Sequence, residues 1–244
     1  MQEKVFEILS NREIAAGVWE IRLAGDTQGM ERPGQFVNVS LPGFFLRRPI
    51  SVCCVKEQEL TLIYKTVGKG TACLSALREG RLNLLTGLGN GYNLDRAGEA
   101  PLLIGGGVGV PPLYELARQL RARDLPVQVI LGFNTAREVF YVQEFKDLGC
   151  EVTVTTADGS QGVKGCVTDA LGGRQYSYVY ACGPVPMLKA VDRNIQSDGE
   201  FSMEERMGCG FGACMGCSCK TKGGNKRVCR EGPVFRKEEI LWEA

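Results

Sequence analysis

The sequence predicts an α+β multidomain chain: an antiparallel β-barrel, a parallel α/β domain, and a C-terminal loop segment rich in cysteine. Three observations carry that reading. Residues 1–97 hold short strand-like runs separated by Gly, Pro and Asp or Asn; residues 98–200 alternate strands with helices; and residues 201–244 crowd glycine and cysteine together without sustained periodicity.

In the first part the runs are Val5-Phe6-Glu7-Ile8-Leu9, Val18-Trp19-Glu20-Ile21-Arg22-Leu23, Gln35-Phe36-Val37-Asn38-Val39, residues 50–55 and Leu60-Thr61-Leu62-Ile63-Tyr64. Their turn-punctuated spacing suits an antiparallel barrel or sandwich, interrupted by one short helix at residues 71–77. From Pro101 the pattern becomes Leu102-Leu103-Ile104 with a helix over 113–121, then residues 127–133 with a helix over 142–148. Val152-Thr153-Val154 and Tyr178-Val179-Tyr180-Ala181 follow, the latter with a helix over 186–195. Such alternation builds a parallel sheet covered by helices. The third part, from about Ser202, is expected to need something other than an apolar core to hold it.

Composition narrows function before any motif does. Of 244 residues, 29 are Lys or Arg and 28 are Asp or Glu, a net charge of +1 that offers no general field for nucleic acid. Hydrophobic residues make up 44% and charged residues 23%, the balance of a folded protein with buried cores. Histidine is absent, which excludes Ser-His-Asp hydrolysis, His-ligated zinc or haem, and Rieske-type clusters. Eleven cysteines in a chain that opens without a secretory apolar region point to a reducing, cytoplasmic setting. There a local thiol cluster means metal or redox chemistry. No apolar run reaches the length of a membrane span, so no membrane partner is expected. The scattered Cys53, Cys54, Cys73, Cys150 and Cys166 read as small core hydrophobes.

The C-terminal thiols are spaced differently. Cys209, Cys214 and Cys217 form C-x4-C-x2-C and Cys229 follows after eleven intervening residues, the plant-type [2Fe–2S] arrangement. Soft thiolates suit sulfide-bridged iron, and four of them complete two tetrahedral irons. Gly208, Gly210, Gly212 and Gly216 let the backbone wrap closely and aim N–H groups at sulfur. A structural zinc site is the rival, although zinc usually takes two short C-x2-4-C knuckles. Cys219 competes with Cys229 as fourth ligand; its closeness to Cys217 favours a bystander thiol.

Two further constellations suit anionic ligands. Arg47-Arg48-Pro49-Ile50-Ser51 opens a strand, and Gly68-Lys69-Gly70-Thr71 stands at a helix start. Guanidinium, hydroxyl and unpaired N–H groups together match phosphate oxygens, whereas each piece alone reads as a surface charge or a plain N-cap. Residues 104–112, Ile-Gly-Gly-Gly-Val-Gly-Val-Pro-Pro, run from strand through a glycine turn into a helix, where a pyrophosphate can approach the backbone. Pro112 replaces the third glycine of the usual pattern, and proline is tolerated in a first helical turn. Ala181-Cys182-Gly183-Pro184 ends the last predicted strand, at the sheet edge where such folds bind ligands or simply turn into a helix.

Taken in order, Arg48-Pro49-Ile50-Ser51, Gly70-Thr71, residues 105–112, Cys182-Gly183-Pro184 and the C-terminal cysteines resemble the ferredoxin-NADP reductase superfamily over essentially the whole chain. Within it, the block from Met203-Glu204-Glu205-Arg206-Met207 through Cys229-Arg230-Glu231-Gly232-Pro233 is most similar to the electron-transfer subunits of type B (NAD-linked) dihydroorotate dehydrogenase. The resemblance implies an FAD-binding β-barrel at 1–97, an NAD-binding α/β domain at 98–200 and a [2Fe–2S] cluster-binding segment at 201–244. It puts flavin contacts on Arg48, Pro49, Ile50 and Ser51, on Ile63, Tyr64 and Lys65, and on Gly70 and Thr71 at the FAD pyrophosphate. NAD would lie over Gly106, Gly107, Val108 and Gly109, with Cys182, Gly183 and Pro184 by the ring. The implied metal ligands are Cys209, Cys214, Cys217 and Cys229, and Asp158-Gly159-Ser160 resembles a turn of the family.

NAD(H) exchanges two electrons as hydride and a cluster exchanges one at a time, so the flavin between them converts. The expected function is a flavin and iron–sulfur oxidoreductase subunit in pyrimidine biosynthesis. Electrons would arrive from an FMN-containing dihydroorotate dehydrogenase catalytic subunit, in a heterotetramer of two of each, with no general base in this chain. The alternatives are an NAD(P)H-dependent reductase subunit for ferredoxin or sulfur compounds and a zinc-binding regulatory module. NAD is not separated from NADP: Arg137 could meet a 2′-phosphate, and no acidic residue follows the strand tip at Phe133 directly.

Overall fold

The computed structural model describes residues 1–242. Period-two runs of apolar residues form six antiparallel strands: β1 (Gln2–Ala15), β2 (Val18–Ala24), β3 (Phe36–Val39), β4 (Arg48–Lys56), β5 (Glu59–Lys65) and, after helix α1 (Lys69–Ala76), β6 (Arg81–Leu88). They close in the order β1-β2-β5-β4-β3-β6, so the expected choice between barrel and sandwich falls on the barrel. Inward-facing Phe6, Ile21, Leu23, Leu60, Leu62 and Leu84 are fully buried and fill it. Strand β6 has the right alternation but escaped the sequence reading, because Asn83, Thr86 and Gly87 dilute its apolar positions.

The chain then alternates as expected through β7 (Pro101–Gly106), α2 (Pro111–Arg121), β8 (Gln128–Phe133), α3 (Val142–Asp147), β9 (Glu151–Thr156), the short β10 (Val163–Lys164), β11 (Tyr178–Cys182) and α4 (Val185–Asn194). Strand β12 (Gly199–Ser202) follows, then the hairpin β13 (Ser218–Thr221) and β14 (Gly224–Arg227), and β15 (Val234–Arg236). The sheet order is β10-β9-β8-β7-β11-β12-β15, parallel throughout except for the antiparallel β15.

One face of this sheet, with Leu103, Val129, Leu131 and Tyr180, packs on α2, α3 and barrel residues Val18, Cys53 and Ile63. The other face, with Leu102, Ile104, Ile130 and Val179, packs on α4 and on Cys217, Val228, Cys229 and Phe235 from the C-terminal part. This corrects one expectation. The cysteine-rich part does share an apolar core, because β15 returns to the sheet edge and carries Phe235 inward; Met203, Cys217, Val228, Cys229 and Ile240 join it, spread among glycines, and no period reveals them.

Candidate functional site

Parallel strands deliver their carboxyl ends to one edge, and here that edge faces the barrel. Two cavities lie along it. The first, about 340 Å³, takes Pro49, Ile50 and Ser51 from β4, Ile63, Tyr64 and Lys65 from β5, and Thr71 from α1. Arg48 stands beside it: its guanidinium packs on Gly70, where a Cβ would lie 2.1 Å from Nε, and over the Phe44 ring at 4.7 Å. Gly70 is therefore required by close approach, and the cation is seated beside the start of α1, where it and the unpaired N–H groups of the helix can face one anion together. Thr71 also acts as the N-cap partner: its Oγ1 accepts the N–H groups of Val67 at 2.9 Å and Gly68 at 3.2 Å.

The second cavity, about 310 Å³, is lined by Gly106, Gly107 and Val108 after β7, by Pro184 after β11, and by Gly132, Thr155 and Cys166. Gly109 packs directly on the β11 turn, where a Cβ would lie 2.3 Å from the Cys182 carbonyl oxygen. Gly183 has φ 156° and touches Met187. The two glycine turns thus interlock. Cys182 itself lines the first cavity, not the second, and burial pushes its thiol well up from the usual range. The cavities meet at Lys65, Val108 and Glu204, which line both.

Sequence reading missed Glu204 in this role, and its only signal was its place in the Met-Glu-Glu-Arg-Met block. The residue keeps an accessible face, while protein crowding around its carboxyl raises its pKa. Lys65 donates to Glu138 at 2.8 Å, pairing barrel with sheet across the cavity mouth and holding the Glu138 carboxyl below its ordinary range. Glu138 also folds back to accept the Asn134 N–H at 3.1 Å, so a carboxylate does stand at the tip of β8. Asp158 accepts the Ser160 N–H at 2.9 Å, and Ser160 Oγ accepts the Ala136 N–H at 2.7 Å, joining the turns after β9 and β8. Arg137 is exposed.

The first cavity has a third wall. Ser202, Met203, Glu204, Met207 and Pro233, from the stretches flanking the cysteines, close it. Beyond that wall the thiols stand in two pairs, Cys209 with Cys214 and Cys217 with Cys229. Cys209 Sγ accepts the N–H groups of Ala213 at 3.2 Å and Cys214 at 3.4 Å; Cys214 Sγ accepts those of Cys209 and Gly216, each at 3.5 Å. Burial opposes ionisation of Cys209, but backbone donors from Phe211, Cys214 and Ala213 bring its thiol down to about 6. Cys229, buried beside Cys217, is pushed up to about 12.

Cys217 and Cys229 are each 2% exposed and Cys214 lies open, so one pair faces inward and the other outward. Gly208 and Gly216 come within a Cβ's reach of Cys214 Sγ, at 3.2 and 3.5 Å. Among the described residues no three thiols or carboxylates gather around a single point as for one ion. Paired thiols under N–H donors suit two bridged irons, each taking two thiolates. Cys219, on β13, is half-buried and raised by burial.

Comparison with known proteins agrees with this layout. The iron-sulfur cluster binding domain of dihydroorotate dehydrogenase B matches residues 204–241, and the oxidoreductase NAD-binding domain matches residues 103–193. The dihydroorotate dehydrogenase B (NAD(+)) electron transfer subunit of Geobacillus sp. (strain WCH70) is 43% identical over 99% of both chains. That of Bacillus caldolyticus is 45% identical over 96% of both. The chain belongs to this family of electron transfer subunits. In fold it is also similar to a solved NADH-dependent reduced ferredoxin-NADP oxidoreductase described in connection with flavin-based electron bifurcation, at 33% identity and TM-score 0.87, covering 97% of this chain and 90% of that one. The family supplies a flavin and iron–sulfur oxidoreductase with FAD, a [2Fe–2S] cluster and NAD as its cofactors, and a catalytic dihydroorotate dehydrogenase partner.

Proposed function

We propose that this chain carries electrons from the FMN of a dihydroorotate-oxidising partner to NAD⁺, in pyrimidine biosynthesis. One observation carries the reading: the thiol-bearing segment walls the first cavity, and the first cavity shares Lys65, Val108 and Glu204 with the second. A cluster, a flavin and a nicotinamide would thereby stand in series. When bound, the flavin supplies the conversion between single electrons and hydride.

The residues of the chain bind and orient. Arg48, Pro49, Ile50, Ser51, Ile63, Tyr64, Lys65, Gly70 and Thr71 would hold FAD, with Arg48 and the start of α1 toward the pyrophosphate. Gly106, Gly107, Val108, Gly109, Gly183 and Pro184 would seat the nucleotide, with buried Cys182 beside them on the wall of the first cavity. Cys209, Cys214, Cys217 and Cys229 would hold the cluster, with Cys219 a bystander; the two thiol pairs support this over a single zinc ion. The division into 1–97, 98–200 and 201–244 follows these roles, a cytoplasmic setting suits eleven free thiols, and the assembly is a heterotetramer of two subunits of each kind.

The test is reconstitution. The purified chain is expected to pass electrons from NADH to an artificial dye yet to oxidise no dihydroorotate, and the FMN subunit is expected to create dihydroorotate:NAD⁺ activity. Robust oxidation by the single chain would sink the reading. A second reading, a reductase subunit serving ferredoxin or sulfur compounds, draws on the likeness to the NADH-dependent ferredoxin-NADP oxidoreductase. It is favoured if the mixed subunits gain no activity. A colourless, zinc-containing preparation would favour the regulatory module.

A further inference from the structure

Asn38 is the polar exception in β3, whose other members Phe36, Val37 and Val39 are all apolar and buried. It is 2% exposed, and its Oδ1 has no hydrogen-bond partner. Its Nδ2 donates to the carbonyl of Cys209 at 3.3 Å. Among the described residues this is the one hydrogen bond from the barrel to the loop of residues 209–217. The contact is close on both sides: Gly210 has φ +75°, and a Cβ there would lie 1.9 Å from Asn38 Nδ2.

The strand carrying this carboxamide also builds the first cavity. Phe36, two residues earlier, lines it, and Asn38 pairs across the ladder with Pro49, which lines it too. A buried amide with one acceptor unmet is a poor choice for packing alone, since an apolar residue of the same size leaves nothing unsatisfied. Its one bond joins the loop that bears two outward thiols to the wall of the flavin cavity.

We infer that Asn38 is a positioning residue that fixes the cluster-bearing loop against the flavin cavity and so sets how fast electrons cross between them. The inference rests on the reading of residues 209–229 as the cluster site, and it adds a residue outside both binding sets. Asn38 takes no part in binding either cofactor; it acts through the Cys209 carbonyl.

The experiment uses the chain carrying FAD and cluster, reduced anaerobically with NADH. Flavin bleaching and the paramagnetic resonance signal of the reduced cluster are followed separately, and dye reduction by NADH reports on the flavin alone. Asn38→Leu keeps the volume but cannot donate. It is expected to slow the appearance of the cluster signal about tenfold, the kinetic size of one lost hydrogen bond, with iron content and dye reduction held. Unchanged cluster reduction at full iron and flavin content overturns the assignment, as does an equal loss of dye reduction, which would place the role of Asn38 in the flavin cavity itself.

Approach from the other side decides the matter should Asn38→Leu lose iron. Gly210→Ala pushes a methyl group into the carboxamide and should give the same slow cluster signal. Asn38→Ala with Gly210→Ala breaks the same contact twice and should be no slower than either single variant. A double variant slowed by the product of the two single effects overturns the contact. If the unsubstituted chain gives no cluster signal at all, the cluster reading falls and this inference with it.

Discussion

Charge and geometry act together at single residues. Arg48 stacks on Phe44, fills the space over Gly70 and points its guanidinium at a helix start, so it is already ordered for an anion. Arg48→Ala is expected to weaken FAD binding roughly 10–100-fold, the worth of charge-assisted hydrogen bonds, with flavin lost on gel filtration from a chain that stays folded. Full flavin retention would move the site elsewhere. A second pair braces the thiol loop: Arg227 donates to the Gly212 carbonyl at 2.6 Å and pairs with Glu231, whose pKa its hydrogen bond lowers to about 2. A depressed carboxyl pKa stabilises the fold above the ordinary value of 4.5, and that contribution fades as pH falls toward about 2. The pair is partly open to water, which screens it, so Glu231→Gln should cost only about 0.5–1 kcal/mol at pH 7. In urea unfolding, the gap between Glu231→Gln and the unsubstituted chain should narrow below pH 4.5; a constant gap would contradict the linkage.

At the scale of elements, the glycine turns are the most constrained pieces. Gly109→Ala puts a methyl carbon 2.3 Å from the Cys182 carbonyl oxygen, in backbone that cannot give way as a side chain end can. It should cost about 1–3 kcal/mol in thermal unfolding and weaken NADH binding, measured as the KM for dye reduction. The same elements show what was legible in the sequence. The strand-turn-helix of residues 102–121 is local, with apolar run, glycines and Pro111-Pro112 all adjacent, so these elements and the turn that lines the second cavity were readable. The thiol spacing was readable for the same reason. The third wall of the first cavity was not, because Met203, Met207 and Pro233 reach it only after β12 and β15 pair at the sheet edge. Glu204 and Asn38 were hidden likewise: each gains its meaning from a neighbour more than a hundred positions away, or from a cavity that two folded units share.

For the whole molecule, the question is what holds barrel and sheet in register, since both line the place where the two cavities meet. Apolar contact is one part, through Val18, Cys53 and Ile63 against the sheet's core. Polar clamps make it directional. Tyr141 donates to Glu20 on β2 at 2.8 Å, and Lys65 pairs with Glu138. The deepest clamp is Glu115 on α2, 1% exposed, whose carboxylate accepts Arg118 at 2.6 Å, Gln119 at 2.7 Å and the N–H of Val55 on β4 at 3.3 Å. Arg118 in turn donates to the Val55 carbonyl at 3.3 Å. Removing one partner of a buried pair leaves the other charge unmet, which typically costs about 3–5 kcal/mol; Arg118 is partly open to water, so the lower end applies here. Glu115→Ala should therefore lower stability by about 3 kcal/mol and let α2 shift on β4. Because α2 starts at the glycine turn of the second cavity while β4 carries Arg48 to Ser51 of the first, the shift misaligns the two cavities without altering either one's own residues. FAD content should hold while flavin reduction by NADH in stopped flow slows. Tyr141→Phe, which removes one donor and leaves Arg12 on Glu20, should cost about 1.5 kcal/mol, the low end for a bond to a carboxylate, and keep the rate. If Glu115→Ala loses stability but reduces its flavin at the original rate, the register of the two units is set by apolar packing alone.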